Sequence, residues 1–292
     1  MTTTATIPNF IYGTAWKGAR TADLVYTALR CGFRAIDSAA QPEHYNEPGA
    51  GDGLRRAVAE GLVQRQDVFI QSKFASPKNQ RRTPPYNRHA PLVDMVRQSV
   101  ESSLRSFTVP GQEPYLDSLL LHTPMENLLD TVTVWRTLES YVPHRIRNLG
   151  MCNVTLDVVR ALHYRLYVKP AFIQNPFNVN GGFDADLRRY CRNEDMVYQS
   201  FWTLTANSAL VQSQVVEYLA QMAGVHVVPA YFSLVLGLGS IAILNGTTQE
   251  NSMIGDLQGV EKVFAWAQGE EGSAIWQLAM VEFKSLVGDA DT

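Results

Sequence analysis

Four apolar, strand-like runs in this chain each end on one polar residue: FRAID on Asp37, DVFIQSK on Lys73, YLDSLLLH on His122 and IRNLGMCN on Asn153. Stretches with helical spacing of apolar residues separate them. Strands that alternate with helices pair in parallel, since a parallel neighbour is reached only through a long crossover. When eight such units close on themselves, the chemistry gathers at the C-terminal ends of the strands, which is where these four polar residues fall.

The rhythm continues along the chain. Runs rich in β-branched and aromatic residues predict strands over 10–16, 33–39, 67–73, 115–122, 146–153, 171–177, 196–201 and 241–247. Amphipathic spacing predicts helices near 20–31, 49–62, 90–107, 126–141, 155–165 and 184–192, with paired helices over 206–238. Gly32 stands between the first helix and the second strand, where a C-terminal cap is wanted. The expected fold class is therefore α/β, a single (β/α)8 TIM barrel. Its 292 residues fit one such domain over 1–292, with 264–292 as a C-terminal helical tail packed on the barrel.

One interruption stands out. ASPKNQRRTPPYNRHA, after Lys73, carries prolines and four basic residues that oppose regular structure. A solvated connection is the expected state, with a lid over the pocket or a phosphate-attracting loop as the functional alternative.

Bulk properties exclude several classes. A net charge of −3 gives no electrostatic footprint for nucleic acid or anionic lipid. The longest apolar run, YFSLVLGLGSIAIL, is shorter than the roughly 20 residues of a spanning helix, so a core helix running into a strand is expected. MTTTATIPNFIYG lacks the basic and apolar regions of a secretory signal. Cys31, Cys152 and Cys191 are odd in number and without CxxC spacing, which points to reduced thiols, no metal site and a cytoplasmic location.

Asp37, Tyr45, Lys73 and His122 form a complementary set. A tyrosine is a poor acid at neutral pH unless a cation stabilises its phenolate. Lysine supplies that cation, a carboxylate holds the ammonium in place, and a histidine hydrogen-bonds a carbonyl oxygen. Each residue alone has a plainer reading as cap, surface group or packing; four complementary types at one barrel face favour a site.

GTAW at 13–16, FRAIDSA followed by HYNE at 44–47, QSK at 71–73, LLLHTP at 119–124, GMCN at 150–153 and FIQNPFN at 172–178 occur in this order. As an ordered set they resemble the aldo-keto reductases over residues 10–263. DSAAQPEHY and the LNGTT at 244–248 are similar to a branch common in filamentous fungi. The resemblance implies a barrel that transfers hydride from NADPH to the carbonyl carbon of a ketone or aldehyde. It makes Tyr45 the proton donor, Lys73 and Asp37 its activating pair, and His122 the residue that orients the carbonyl. It assigns the nicotinamide carboxamide to Asn153 and Gln174, and the diphosphate to Ser200, Phe201 and Leu204 in YQSFWTL. Thr14, Asp37, Cys152, Gln199, Gly246, Thr247, Ser252 and Asp256 complete the implied cofactor contacts, while Trp16 and Trp202 join Tyr45 and His122 around the substrate.

Three departures accompany the resemblance. Cys152 replaces the usual Ser, and a thiol is a weaker hydrogen-bond partner than a hydroxyl. Gln199 stands where an aromatic ring stacks under the nicotinamide, with Tyr198 one place earlier. Gly246, Thr247 and Ser252 replace the cations that bind the adenosine 2′-phosphate, which opens NADH as the alternative to the NADPH that the resemblance puts first. The expected partner is a small-molecule carbonyl compound, with no nucleic acid or membrane, and the expected state is a monomer or weak homodimer. Rival readings are a non-redox acid–base enzyme on the same scaffold and a nucleotide-binding regulatory protein.

Overall fold

Runs of aliphatic and aromatic residues with no exposed surface form the strands, among them Ile11, Tyr12, Ile36, Ile70, Leu120 and Ile173. The computed structural model describes residues 7–80 and 83–290. Residues 1–6 of the segment read above for a signal, Arg81 and Arg82 of the basic loop, and the last two residues of the expected tail lie outside them.

In chain order the strands are β1 (Phe10–Gly13), β2 (Ala35–Asp37), β3 (Phe69–Phe74), β4 (Leu116–Leu121), β5 (Ile146–Cys152), β6 (Phe172–Pro176), β7 (Val197–Phe201) and β8 (Ile241–Asn245). They are parallel and follow one another around a closed barrel, so the expected (β/α)8 fold holds. The chain divides into two compact units, Met1–Gln174 and Asn175–Thr292.

The first unit carries α1 (Thr21–Arg30), α2 (Glu47–Ala59), α3 (Leu92–Ser106), α4 (Leu128–Glu139) and α5 (Leu156–His163). Local signals set their ends. Asn46 caps α2 by accepting from the Gly49 N–H, Asn127 caps α4 through Asp130 N–H, and Thr155 caps α5 through Val158 N–H. Gly32 has φ of 111°, as expected of the residue after a helix end. At Gly51, α2 meets the end of α3 so closely that a Cβ would stand 1.8 Å from the Ser106 carbonyl oxygen. Register across the unit pairs Gly13 with Asp37, Asp37 with Gln71, Lys73 with Leu120 and Cys152 with Gln174.

The second unit holds α6 (Ala185–Asn193), α7 (Ser208–Val211), α8 (Gln214–Ala223), α9 (Val227–Leu236), α10 (Glu250–Ala267) and α11 (Glu270–Leu286). The long apolar run is a buried α9 leading into β8, as expected. No single helix among the described residues is long and apolar enough to cross a membrane; α8 and α9 together reach that composition but are bent by 106°. Two expected boundaries differ. The segment 206–238 contains three helices rather than two, and α10 runs through position 264, where the tail was expected to begin. Helix α11 packs on α8, α9 and α10. Arg188 of α6 and Arg192 grip the buried Asp289 at 2.9 and 2.8 Å and so fasten the chain beyond α11.

Candidate active site

Lys73 is fully buried near the end of β3. Its Nζ donates to Oδ2 of Asp37 at 2.5 Å and to the Ser38 carbonyl at 2.9 Å. Burial is the largest influence and disfavours the ammonium, but Asp37, Tyr45 and Cys152 together outweigh it and hold the lysine above its ordinary range. The other carboxylate oxygen of Asp37 accepts from Nε2 of Gln71 at 2.7 Å and Nε2 of Gln174 at 3.1 Å. Thr14, also fully buried, donates through Oγ1 and its N–H to the Asp37 carbonyl. An ion pair this deep is tolerable because its oxygens and protons are met by further hydrogen bonds.

Tyr45 enters from the loop before α2. Lys73 Nζ lies 5.1 Å from its ring centre, and the His122 ring meets it edge-on at 6.0 Å. Burial pushes the Tyr45 hydroxyl up to about 12, while the nearby Lys73 ammonium pulls it down. His122 follows β4, its N–H bonded to the Phe74 carbonyl. Burial, with help from Lys73 and His44, lowers its imidazole to about 3, so the ring is neutral at pH 7.

Asn153 and Cys152 at the end of β5 and Gln174 in the middle of β6 form a chain. Asn153 is exposed, with φ of 55°, and its Nδ2 donates to the His122 carbonyl at 2.9 Å and to the Cys152 Sγ at 3.2 Å. The Cys152 thiol donates to Gln174 Oε1 at 3.6 Å, a length typical of a weak sulfur contact. Burial pushes this thiol up to about 12, so it stays protonated and unreactive at neutral pH.

Two loops border these residues. Trp16 has φ of 63°, is 74% exposed and stacks on His44 with ring centres 4.0 Å apart. The basic loop after β3 departs from the expected solvated connection. Gln80 donates to the Ala40 carbonyl and Gln41 to the Asn79 carbonyl, each at 2.6 Å, in a reciprocal clamp onto the segment leading to Tyr45. Pro77–Asn79 form a turn of 3-10 helix, Ser76, Gln80 and Tyr86 are buried, and Tyr86 donates to the Ala75 carbonyl at 2.8 Å. Glutamine side chains bonding backbone across 38 to 40 residues leave no mark in local sequence pattern, so charge and proline content dominated the expectation.

Within the second unit, Gln199 is fully buried on β7. Tyr198 faces the other side of that strand and donates to Asp184 Oδ2 at 2.9 Å. A strand turns successive side chains to opposite faces, so Tyr198 does not stand in for an aromatic at Gln199. Ser200 is buried, accepts from Thr203 Oγ1 at 2.9 Å and donates to the Ala242 carbonyl at 3.3 Å. Phe201 meets Trp202 edge-on at 5.2 Å; Trp202, with φ of 56°, is 61% exposed, and Leu204 is exposed as well. After β8, Asn245 accepts from the Thr247 N–H at 3.0 Å and donates to the buried Asp256 at 2.7 Å, where burial raises the carboxyl. Gly246 and Ser252 are exposed.

The sequence model of the Aldo/keto reductase family matches residues 11–221. The chain belongs to that family. This aldo/keto reductase is 27% identical over 247 residues to the uncharacterized oxidoreductase YtbE of Bacillus subtilis, covering 83% of this chain and 80% of that one. It is 32% identical over 202 residues to the NAD(P)H-dependent D-xylose reductase I,II of Candida tropicalis, covering 60% of each. The chain thus spans less than two thirds of that yeast relative. The crystal structure of the Bombyx mori aldo-keto reductase in complex with NADP shares the fold at a TM-score of 0.71, with 20% identity over 89% of this chain and 88% of that one.

Several residues of this reductase's site escaped the sequence reading. Gln71 lies inside QSK and Glu47 inside HYNE, so the motifs held both, but nothing local says that one binds Asp37 and the other is buried. His44 and Gln41 lie just before Tyr45, and only the three-dimensional placement of Trp16 and of the loop after β3 gives them partners.

Proposed function

We propose that this protein reduces a ketone or aldehyde to an alcohol with a nicotinamide dinucleotide, Tyr45 giving the proton. The observation that carries the reading is the buried Lys73 ammonium, fixed by Asp37 at 2.5 Å and placed 5.1 Å from the Tyr45 ring. As negative charge develops on the carbonyl oxygen, the Tyr45 hydroxyl delivers its proton, and the phenolate left behind is stabilised by Lys73.

His122 orients the carbonyl. Its Nδ1 is buried with no hydrogen-bond partner among the described residues, which supports a neutral ring with its proton on Nε2 as a donor. Being neutral, the ring does not compete with Tyr45 for proton delivery.

The residues fit the nicotinamide end of a dinucleotide: Asn153 just after β5 and Gln174 on β6 carry amides that Cys152 links through its sulfur. When bound, the reduced nicotinamide supplies the hydride. At the adenosine end the donor set is neutral, with the hydroxyls of Thr247, Thr248 and Ser252 and no Lys or Arg from 241 through 261. The NADPH-dependent D-xylose reductase of Meyerozyma guilliermondii, 30% identical over 183 residues, supports NADPH as the first choice, and the NAD(P)H-dependent Candida tropicalis enzyme keeps NADH as the alternative.

Titrating the purified protein with NADPH and NADH by fluorescence, then following nucleotide oxidation with an aldehyde panel, tests the reading. Binding together with turnover that Tyr45→Phe abolishes supports it. Turnover without nucleotide would move the same residues to non-redox acid–base chemistry.

A further inference from the structure

One buried titratable group has no part in the chemistry above. Glu47 is the first residue of α2, two places after Tyr45, and is only 5% exposed. Ser72 Oγ donates to its Oε1 at 2.5 Å and Ser103 Oγ to its Oε2 at 3.0 Å, with the two hydroxyls 3.3 Å from each other. Ser72 precedes Lys73 on β3, and Ser103 lies in α3. Successive residues of a strand face opposite ways, so β3 presents Lys73 to Asp37 and Ser72 to Glu47. Among the described residues the charged group that acts on Glu47 is Lys73, more weakly than the two hydroxyls.

A carboxyl buried without a cation bound to it is costly, and a helix start needs none there, because Asn46 already caps α2 through the Gly49 N–H at 3.0 Å. What the carboxyl does is join three elements at one point: the loop end that carries Tyr45, the strand that carries Lys73, and α3 behind them. Its two oxygens span hydroxyls on two different elements, which no apolar side chain does.

We propose that Glu47 is a positioning residue for the proposed reaction: through Ser72 and Ser103 it fixes the base of the Tyr45 segment against β3 and so sets the spacing between the Tyr45 hydroxyl and Lys73. The proposal rests on Tyr45 being the proton donor. Displacing a reacting group by about 1 Å can cost on the order of 100-fold in rate, which gives this fixing a measurable effect.

The test measures kcat, KM for an aldehyde, Kd for NADPH and Tm on Glu47→Ala, Glu47→Asp, Glu47→Gln and Ser103→Ala, with Tyr45→Phe as reference. Glu47→Asp keeps the carboxyl but is one methylene too short to hold both hydroxyls; Glu47→Gln keeps the length and removes the titratable group. The expected result is kcat lowered by roughly 10- to 100-fold in the Ala and Asp variants, with NADPH Kd unchanged. Glu47→Gln restores kcat to within a few-fold, and Ser103→Ala gives an intermediate loss. If Glu47→Ala does not fold, the Asp and Ser103 variants carry the same expectation. Folded Asp and Ser103 variants with lowered Tm but unchanged kcat would overturn the proposal, as would a Gln variant as slow as the Asp variant. Undiminished activity in Tyr45→Phe would instead remove the donor assignment itself.

Discussion

The Nζ of Lys73 and the Oδ2 of Asp37 lie 2.5 Å apart with essentially no exposure of either side chain. Each charge is tolerable only because the other is there, so the pair behaves as one element of the site. Removing the cation in Lys73→Met leaves the carboxylate buried with two glutamine amides. Stability is expected to fall by about 3 to 5 kcal/mol, with the double variant Lys73→Met/Asp37→Asn recovering part of it. Urea unfolding of the single and double variants measures this; no recovery would mean that the two charges are not coupled.

Tyr45→Phe keeps the ring against His122 and deletes only the hydroxyl. A lost general acid is expected to lower kcat by about 10²- to 10⁴-fold, with NADPH Kd within a factor of about 2 of the parent. Stopped-flow reduction at saturating nucleotide separates the two quantities.

His122, with its imidazole held at about 3, carries no proton change between pH 5 and 8. Activity should therefore show no limb from His122 in that range, and its C2–H resonance should not titrate. The same depression makes the neutral ring the favoured folded form. Its contribution to stability is complete above the ordinary value of 6.5 and is lost as the pH falls towards 3. His122→Gln, which keeps a neutral donor, is expected to retain more activity than His122→Ala.

Glu47 works in the opposite direction. Burial pushes its carboxyl from 4.5 up to about 7, partly offset by the Ser72 and Ser103 hydroxyls. The neutral form is favoured in the fold, so its contribution is complete below 4.5 and is lost as the pH rises through 7. The loss is on the order of 3 kcal/mol at most. Unfolding free energies of the wild type and Glu47→Gln, compared from pH 4.5 to 8, are expected to converge or cross as the pH rises; a constant difference would remove the shift.

Asp289 gathers Arg188 and Arg192, and these two hold its carboxyl below the usual range although burial opposes its charge. Asp289→Asn leaves the buried Arg188 without its counter-ion and is expected to cost about 3 to 5 kcal/mol. The folded fraction should keep its kcat, since the contact serves the chain end. A lowered urea midpoint with unchanged specific activity is the result to look for.

The order of elements was legible because it depends on local chemistry. Alternating strand-like and helix-like runs, Gly32 after a helix, and polar residues at strand ends are each written within a few neighbouring positions. Boundaries were less so: β1 ends at Gly13, not at 16, and Trp16, with φ of 63°, has left the extended conformation a strand needs.

Asp37, Tyr45, Lys73 and His122 could be named from residue type and order alone, since proton donation by tyrosine requires that set. Their distances could not. The Asp37–Lys73 bond, the edge-on Tyr45 and His122, the glutamine clamp on the basic loop and the Glu47–Ser72–Ser103 cluster all join residues 25 to 77 positions apart or set by such contacts. By itself the sequence determined which elements form and which chemical groups reach the strand ends, because propensity and alternation act over a few residues. Only the tertiary structure decided which of those groups are desolvated and bonded to one another, because burial and hydrogen bonding are properties of neighbours in space.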